Sequence, residues 1–411
     1  MIFQAPKPAL AALGLLLFLP ITAASQEMTE AEALRRFEQE NANLKALSAQ
    51  VKEAQADARL WSRLSNPAFT YSQEDAAGTR DEFMLIQQSL PINGRLGLMR
   101  KAGGAAVGSV EAEAAIGRIR LRSDFRAAFF GLLAAQERTS LLESGVLPLR
   151  EIVRVLRERE EEREGSTFDR LRAESELAEM EATLNTARIL QVKAQSRLAS
   201  FLASGSDPSS LKAKGDFSDQ TPLPSLDDLN ARALKARGDY LAELRRVEQF
   251  GYERQAAGRY FIPEPVISAG LKRTSIPGLD DRGYAVSITV PLPLFDGGGT
   301  RKARAQAAIE RSEASAAALR RAVETEVRSA YESLALYRRI AQDYVRNLGD
   351  QGERLSRISR LSYEEGEQGI LELLDSHRVA LNSRLKALDL AWSAKLAEIE
   401  LNRAVGEEVL L

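Results

Sequence analysis

Tyr363-Glu364-Glu365-Gly366-Glu367-Gln368-Gly369-Ile370-Leu371-Glu372-Leu373-Leu374-Asp375-Ser376 puts an acidic, glycine-broken turn between two long helical tracts. The second tract opens with Glu372 and Asp375 three residues apart, a spacing that sets both carboxylates on one face of its first turn. About 200 residues earlier stands a weaker copy, Gly165-Ser166-Thr167-Phe168-Asp169-Arg170-Leu171-Arg172-Ala173, which also closes one charged helix and opens another. Two such tips, each with an acid at a helix start, describe a duplicated chain that carries carboxylates at one end.

Upstream of the second tip the pattern is helical back to about Arg301, and the turn Val290-Pro291-Leu292-Pro293-Leu294-Phe295-Asp296-Gly297-Gly298-Gly299 precedes it. Before that turn, Tyr284, Val286, Ile288 and Val290 alternate with Ala285, Ser287 and Thr289, the period of a strand with one apolar face. With the run from Pro265 it forms a β-hairpin over 265–292. Downstream, Ile370 to about Val405 is one returning helix.

The first copy has the same plan, with a β-hairpin over 67–90, closed by Pro91 and Gly94 as Pro293 and Gly297 close the second. A helical pattern then runs from Gly94 to Glu164, with a kink or short break expected at Gly103-Gly104 or around Gly145 and Pro148. The chain returns as Phe168 to Ala203, crosses a Ser/Pro/Gly/Asp-rich linker over 204–224, and continues as a helix from Ser225 to about Arg259. A further helix precedes the first hairpin, from Thr29 to about Arg63, with Thr29 as N-cap and Glu32 three residues on. The predicted organisation is a signal peptide (1–25), a first repeat (26–225) with its tip near 165, and a second (226–411) with its tip near 366.

Composition narrows the function. The 411 residues carry a net charge of -2, so nothing argues for nucleic acid, and one histidine with no cysteine removes the usual zinc, thiol and triad chemistry. No catalytic residue, metal site or cofactor is predicted, and the Gly297-Gly298-Gly299 run lacks the Lys-Ser/Thr of a phosphate loop. His377 is read as a helix-surface residue. The start of the chain, with Lys7, an apolar run from Leu10 to Leu19, Pro20 and then small residues, is a secretory signal peptide without a lipidation cysteine. Beyond it no apolar run approaches the ~20 residues of a membrane helix, so a membrane crossing falls to the strands.

Four strands with two open edges cannot sit in lipid, where every backbone group must be paired, and a barrel needs at least ~8 strands. Several copies must therefore contribute; three would give twelve. Helices of ~100 Å would continue such a barrel as a tube. The expected fold is mainly α with a small β part: coiled α-helical hairpins and four membrane β-strands per chain, forming a trimeric 12-stranded β-barrel continued by an α-helical periplasmic tunnel.

The chain resembles the TolC family of trimeric outer-membrane efflux channels over essentially all of its mature length. The most specific likeness is Tyr363-x-x-Gly366 followed by Ile370-x-Glu372-x-x-Asp375, similar to the periplasmic-tip motif whose two acids line the entrance. The Val290–Asp296 run resembles the subgroup serving heavy-metal exporters of the resistance-nodulation-division (RND) type. Two departures stand out. Gln368 occupies the place of an arginine that helps hold the family's entrance closed, and the first tip has no clear Tyr-x-x-Gly and reads two residues shorter.

The resemblance implies a homotrimer in the outer membrane of a Gram-negative bacterium, in contact with its lipid. A periplasmic adaptor and an inner-membrane pump of RND type would dock at the tips and open the entrance by untwisting the inner helices. Glu372, Asp375 and Asp169, with Tyr363, Gln368 and Gly366, are then the gate residues. In a trimer Glu372 and Asp375 would form rings of six carboxylates, which favour cations. Taken alone, both acids also fit ordinary helix-start residues that complement the dipole. A periplasmic adaptor or a coiled-coil structural protein of the envelope is the alternative class; the paired strands argue against both.

Overall fold

The computed structural model describes residues 26–202, 207–217, 221–349 and 351–410. The signal peptide predicted over 1–25 and parts of the predicted linker lie outside these residues.

The chain opens with β1 (Gln26–Thr29), and Thr29 starts α1 (Glu30–Glu40) through a complete capping box: its hydroxyl accepts from the Glu32 N–H while the Glu32 carboxylate accepts from the Thr29 N–H. The predicted first helix is in fact two. Asn41 leaves helical geometry and its side-chain oxygen accepts from the N–H groups of Asn43 and Leu44, which starts α2 (Ala42–Trp61) afresh.

Strands β2 (Ala68–Ala76) and β3 (Thr79–Ser89) form the first hairpin, β5 (Val266–Ile276) and β6 (Leu279–Thr289) the second, and β3 pairs with β5 to give an antiparallel sheet of order β2-β3-β5-β6. At 9 to 11 residues each, these strands have the length of tilted membrane strands. The register places Tyr71, Met84, Leu271 and Tyr284 in one cross-strand row and Phe69, Ile86, Ala269 and Val286 in the next, all on one face. The opposite face carries rows such as Ala68, Gln87, Ser268 and Ser287. Tyr284 is 89% exposed and Val286 72%, so the apolar face is covered by nothing among the described residues. Within the chain, β2 and β6 are also edge strands.

The helix α3 (Arg95–Glu161) runs 67 residues, about 100 Å, without the expected interruption. Gly103 lies against Ala58 of α2 and so serves close packing. Around Pro148, Leu142, Val146 and Leu149 are buried among residues of the two returning helices, α4 (Thr167–Ala199) and α9 (Ile370–Val405). His377 is more than a surface residue: its Nε2 lies 2.8 Å from the Gly145 carbonyl, supporting the backbone next to the proline. Packing and that bond hold straight what Pro148 would otherwise break.

The predicted linker contains β4 (Leu211–Lys214), which pairs in parallel with β1 and covers the middle of α3. Beneath it, Phe125, Ala128 and Phe129 form a core with Phe37, whose ring stacks on Phe125 at 4.7 Å. On the helix after the second hairpin, Val327 and Ala330 are buried under α5 (Leu226–Ala236) and α9 instead. The predicted helix over 225–259 is α5 followed by α6 (Gly238–Ala257), with the break at buried Arg237. The predicted helix 301–364 is α7 (Gly299–Leu348) and α8 (Gln351–Glu364).

Side-by-side contacts give two four-helix layers that share α3. Toward the sheet the order is α2-α3-α6-α7; toward the tips it is α4-α3-α9-α8. Gly94 and Gly298 hold left-handed backbone (φ 74 and 88) at the strand-to-helix turns. The residue that needs this freedom in the second turn is therefore Gly298, one beyond the predicted Gly297.

Candidate functional site

The tips are built alike. At the second, the Glu367 N–H reaches back to the Ser362 carbonyl at 2.8 Å and Gly366 is left-handed (φ 74). At the first, the Glu164 N–H reaches the Arg159 carbonyl at 2.8 Å and the left-handed residue is Arg163 (φ 65). Both are helix ends closed by a six-to-one hydrogen bond. The offset is 366 − 163 = 203 at the turn and 370 − 167 = 203 at the next helix start, so the first tip is not two residues shorter. Its glycine position is filled by arginine, and the Tyr363 position by Glu160 (363 − 203). A left-handed conformation costs a side-chain-bearing residue about 1 kcal/mol, so Arg163→Gly is expected to raise stability by up to that amount in a denaturation midpoint.

Asp169 and Glu372 each lie six residues past the left-handed residue (169 − 163; 372 − 366), at the same height on different helices. On α9, Ile370, Leu373 and Leu374 are buried against α3, which turns Glu372 and Asp375 outward on the opposite face. Asp375 Oδ1 accepts from Arg378 Nη2 at 2.6 Å, a partner that the sequence analysis did not assign. The pair is more than half exposed, so it is a weak constraint.

Gln368 is held within its own chain. Its Oε1 accepts from the hydroxyl of Ser359, 3.0 Å away on α8 and only 3% exposed; the same hydroxyl lies 3.2 Å from the Glu372 carbonyl. Tyr363 packs half-buried on the cluster formed by α3, α4 and α9. It lines a groove of about 590 Å³ between α3, α8 and α9 with Ile152, Arg360, Leu373 and His377.

The first tip is charge-compensated. Arg170 pairs with Glu160 and, at 2.8 Å, with Glu174, which also accepts from Arg157 at 2.7 Å; Thr167 donates to Glu160 at 2.7 Å. These bonds hold the carboxyls of Glu160 and Glu174 below the usual range, through Arg170 and through Arg157 respectively. Among the described residues no group of three or more His, Cys, Asp and Glu is placed to hold a metal ion, and no helix is long and apolar enough to cross a membrane. The strand-to-helix turn leaves Leu292, Leu294 and Phe295 exposed, at 71%, 76% and 102%.

Comparison with known proteins agrees with this geometry. Residues 229–407 match the family model described as outer membrane efflux protein. Outer membrane protein OprJ of Pseudomonas aeruginosa is 26% identical over 180 residues, a match that covers 42% of this chain and 37% of OprJ. In fold, the chain superposes on a membrane protein from Pseudomonas aeruginosa with a TM-score of 0.77 at 19% identity, covering 92% of this chain and 93% of that one. The outer membrane protein VceC of Vibrio cholerae gives a TM-score of 0.75 at 17% identity, covering 92% and 96%. The family match thus covers the second half of the chain, and the fold shared with these structures extends over nearly all of it.

Proposed function

We propose that the chain is the outer-membrane channel of a tripartite efflux system: a passive conduit from periplasm to exterior, gated at its helical tips. The observation that carries this is the sheet. One face is apolar and exposed along all four strands, both edge strands lack a partner among the described residues, and beneath it stands a helix of about 100 Å. A soluble protein has no use for such a face, whereas lipid covers it and a neighbouring copy pairs the edges. Three copies make a twelve-stranded barrel over a tube of helices.

The tips hang farthest from the membrane and are the surface offered to a periplasmic adaptor. An inner-membrane pump of RND type supplies the energy, in keeping with the Val290–Asp296 turn. The chain does no chemistry on its cargo; the acids at its end set what enters. A periplasmic adaptor or coiled-coil structural protein fits less well, because neither needs strands with an outward apolar face.

Cell fractionation tests the reading. The mature protein is expected in the outer membrane, released only by detergent, and sedimenting there at three times the chain mass. Recovery as a water-soluble periplasmic monomer would overturn it.

A further inference from the structure

Two exposed apolar sets stand at matching heights on helices that are not packed side by side among the described residues. On α4, the residues facing α3 are Ala173, Met180, Leu184 and Ala187. The opposite face, from Phe168 to Val192 at alternating spacings of three and four, is exposed throughout and bears no charged residue. Its apolar members near the tip are Phe168, 64% exposed, and Leu171, 53%. On α8, Ile358 and Leu361 are 57% and 54% exposed. Phe168 and Leu361 are each five residues from the left-handed residue of their tip (168 − 163; 366 − 361), and Leu171 and Ile358 are each eight (171 − 163; 366 − 358). Ile189 on α4 and Ile340 on α7 match again farther up, at twenty-six residues (189 − 163; 366 − 340).

In the tip layer, order α4-α3-α9-α8, these two helices are the two ends, as β2 and β6 are the two edges of the sheet. When copies close into a ring, the α8 end of one meets the α4 end of the next in the same sense that β6 meets β2. Because α4 and α8 run in opposite directions, equal counts from the tips bring equal heights together. From this we propose that the entrance is held shut by an apolar clasp, Leu361 and Ile358 of one copy seated against Phe168 and Leu171 of the next. The clasp rests on the ring-forming channel proposed above, and it names what closes an entrance that has Gln368, tied to Ser359 of its own chain, where an arginine lock would stand. Two neighbouring arginines are engaged within the chain, Arg170 with Glu160 and Glu174, and Arg360 with Glu364. Closure by apolar contact resists salt, unlike closure by ion pairs.

The native chain has no cysteine, so paired substitutions read the contact directly. In the full-length protein, Phe168→Cys with Leu361→Cys is expected to give a covalent oligomer ladder on oxidation and a conductance that falls when oxidised and recovers on reduction. The mismatched pair Phe168→Cys with Ile340→Cys, separated by about 30 Å along the helices, is expected to stay uncoupled. Leu361→Ser is expected to raise the resting conductance severalfold, and the wild-type conductance is expected to stay low from ~0.1 to ~1 M salt.

An oligomer that sediments normally and conducts, but whose matched pair does not cross-link, overturns the clasp and leaves the conduit standing. Absence of any oligomer overturns the conduit itself. Loss of efflux in cells with unchanged conductance for Leu361→Ser would assign these residues to adaptor docking and also sink the clasp.

Discussion

Glu398→Ala is expected to destabilise the protein by about 3–5 kcal/mol, because it removes a carboxylate shared by three buried or nearly buried cations. Glu398 is 2% exposed in the middle of α9. Its Oε1 accepts from Lys395 Nζ at 2.8 Å and lies 3.7 Å from Arg126 Nη2, while its Oε2 lies 3.6 Å from Arg338 Nη2. Lys395 also sits 4.9 Å over the ring of Phe130, and Arg126 reaches Glu30 at the start of α1. One carboxylate thus ties α9 to α3 and α7, and through Arg126 to α1. The substitution takes one shared carboxylate from three cations at once, which is why it costs more than the net worth of any one pair. Thermal unfolding in detergent at fixed protein concentration is the measurement. Glu398→Gln, which keeps the shape but not the charge, is expected to fall between; an alanine variant within about 0.5 kcal/mol of wild type would remove this network from the account.

The second large effect lies where the sheet becomes the tunnel. Gly298 starts α7 with φ 88, and a Cβ built there would stand 2.1 Å from the Ala257 carbonyl oxygen and 3.0 Å from Tyr260 Cβ. Alanine meets a conformational penalty and a backbone collision at the same atom, so Gly298→Ala is expected to cost about 3 kcal/mol or more. The neighbour Gly297 has open space around it and no left-handed backbone, so Gly297→Ala is the control that is expected to be nearly silent. The same denaturation assay checks both. Equal effects at the two positions would contradict the turn described here.

Where periodicity runs long, the structure was legible in the sequence. Tyr284 to Ile288 alternates, and its register puts Tyr284, Val286 and Ile288 on one face; α9 keeps the predicted bounds Ile370–Val405. What escaped notice was short, non-local or dependent on packing. The four-residue strands β1 and β4 pair across most of the first repeat, and neither carries an alternating apolar signal long enough to read. Asn41 and Arg237 end helices by local hydrogen bonding inside continuous helical patterns.

The reverse error occurred at Pro148, where local sequence signals a break and the buried neighbours on α4 and α9 prevent it. At the tips, the placement of Glu372 and Asp375 at a helix start and of Gly366 in the turn was readable. The first tip was misjudged because a left-handed residue is sought as glycine, and Arg163 holds that place. Arg378 and Ser359 were missed because neither belongs to the recognised motif; Arg378 bonds one turn back to Asp375, and Ser359 bonds across the tip to Gln368.

The conduit itself is tested most directly by single-channel conductance in planar bilayers, comparing the detergent-purified wild type with Glu372→Ala/Asp375→Ala in the presence and absence of millimolar divalent cations. The account predicts a small, cation-selective conductance that divalents block in the wild type and that the double substitution enlarges and frees from block. No conductance from an oligomer that opens neither with the double substitution nor with Leu361→Ser would contradict the channel, and a conductance indifferent to both acids would remove them from its entrance.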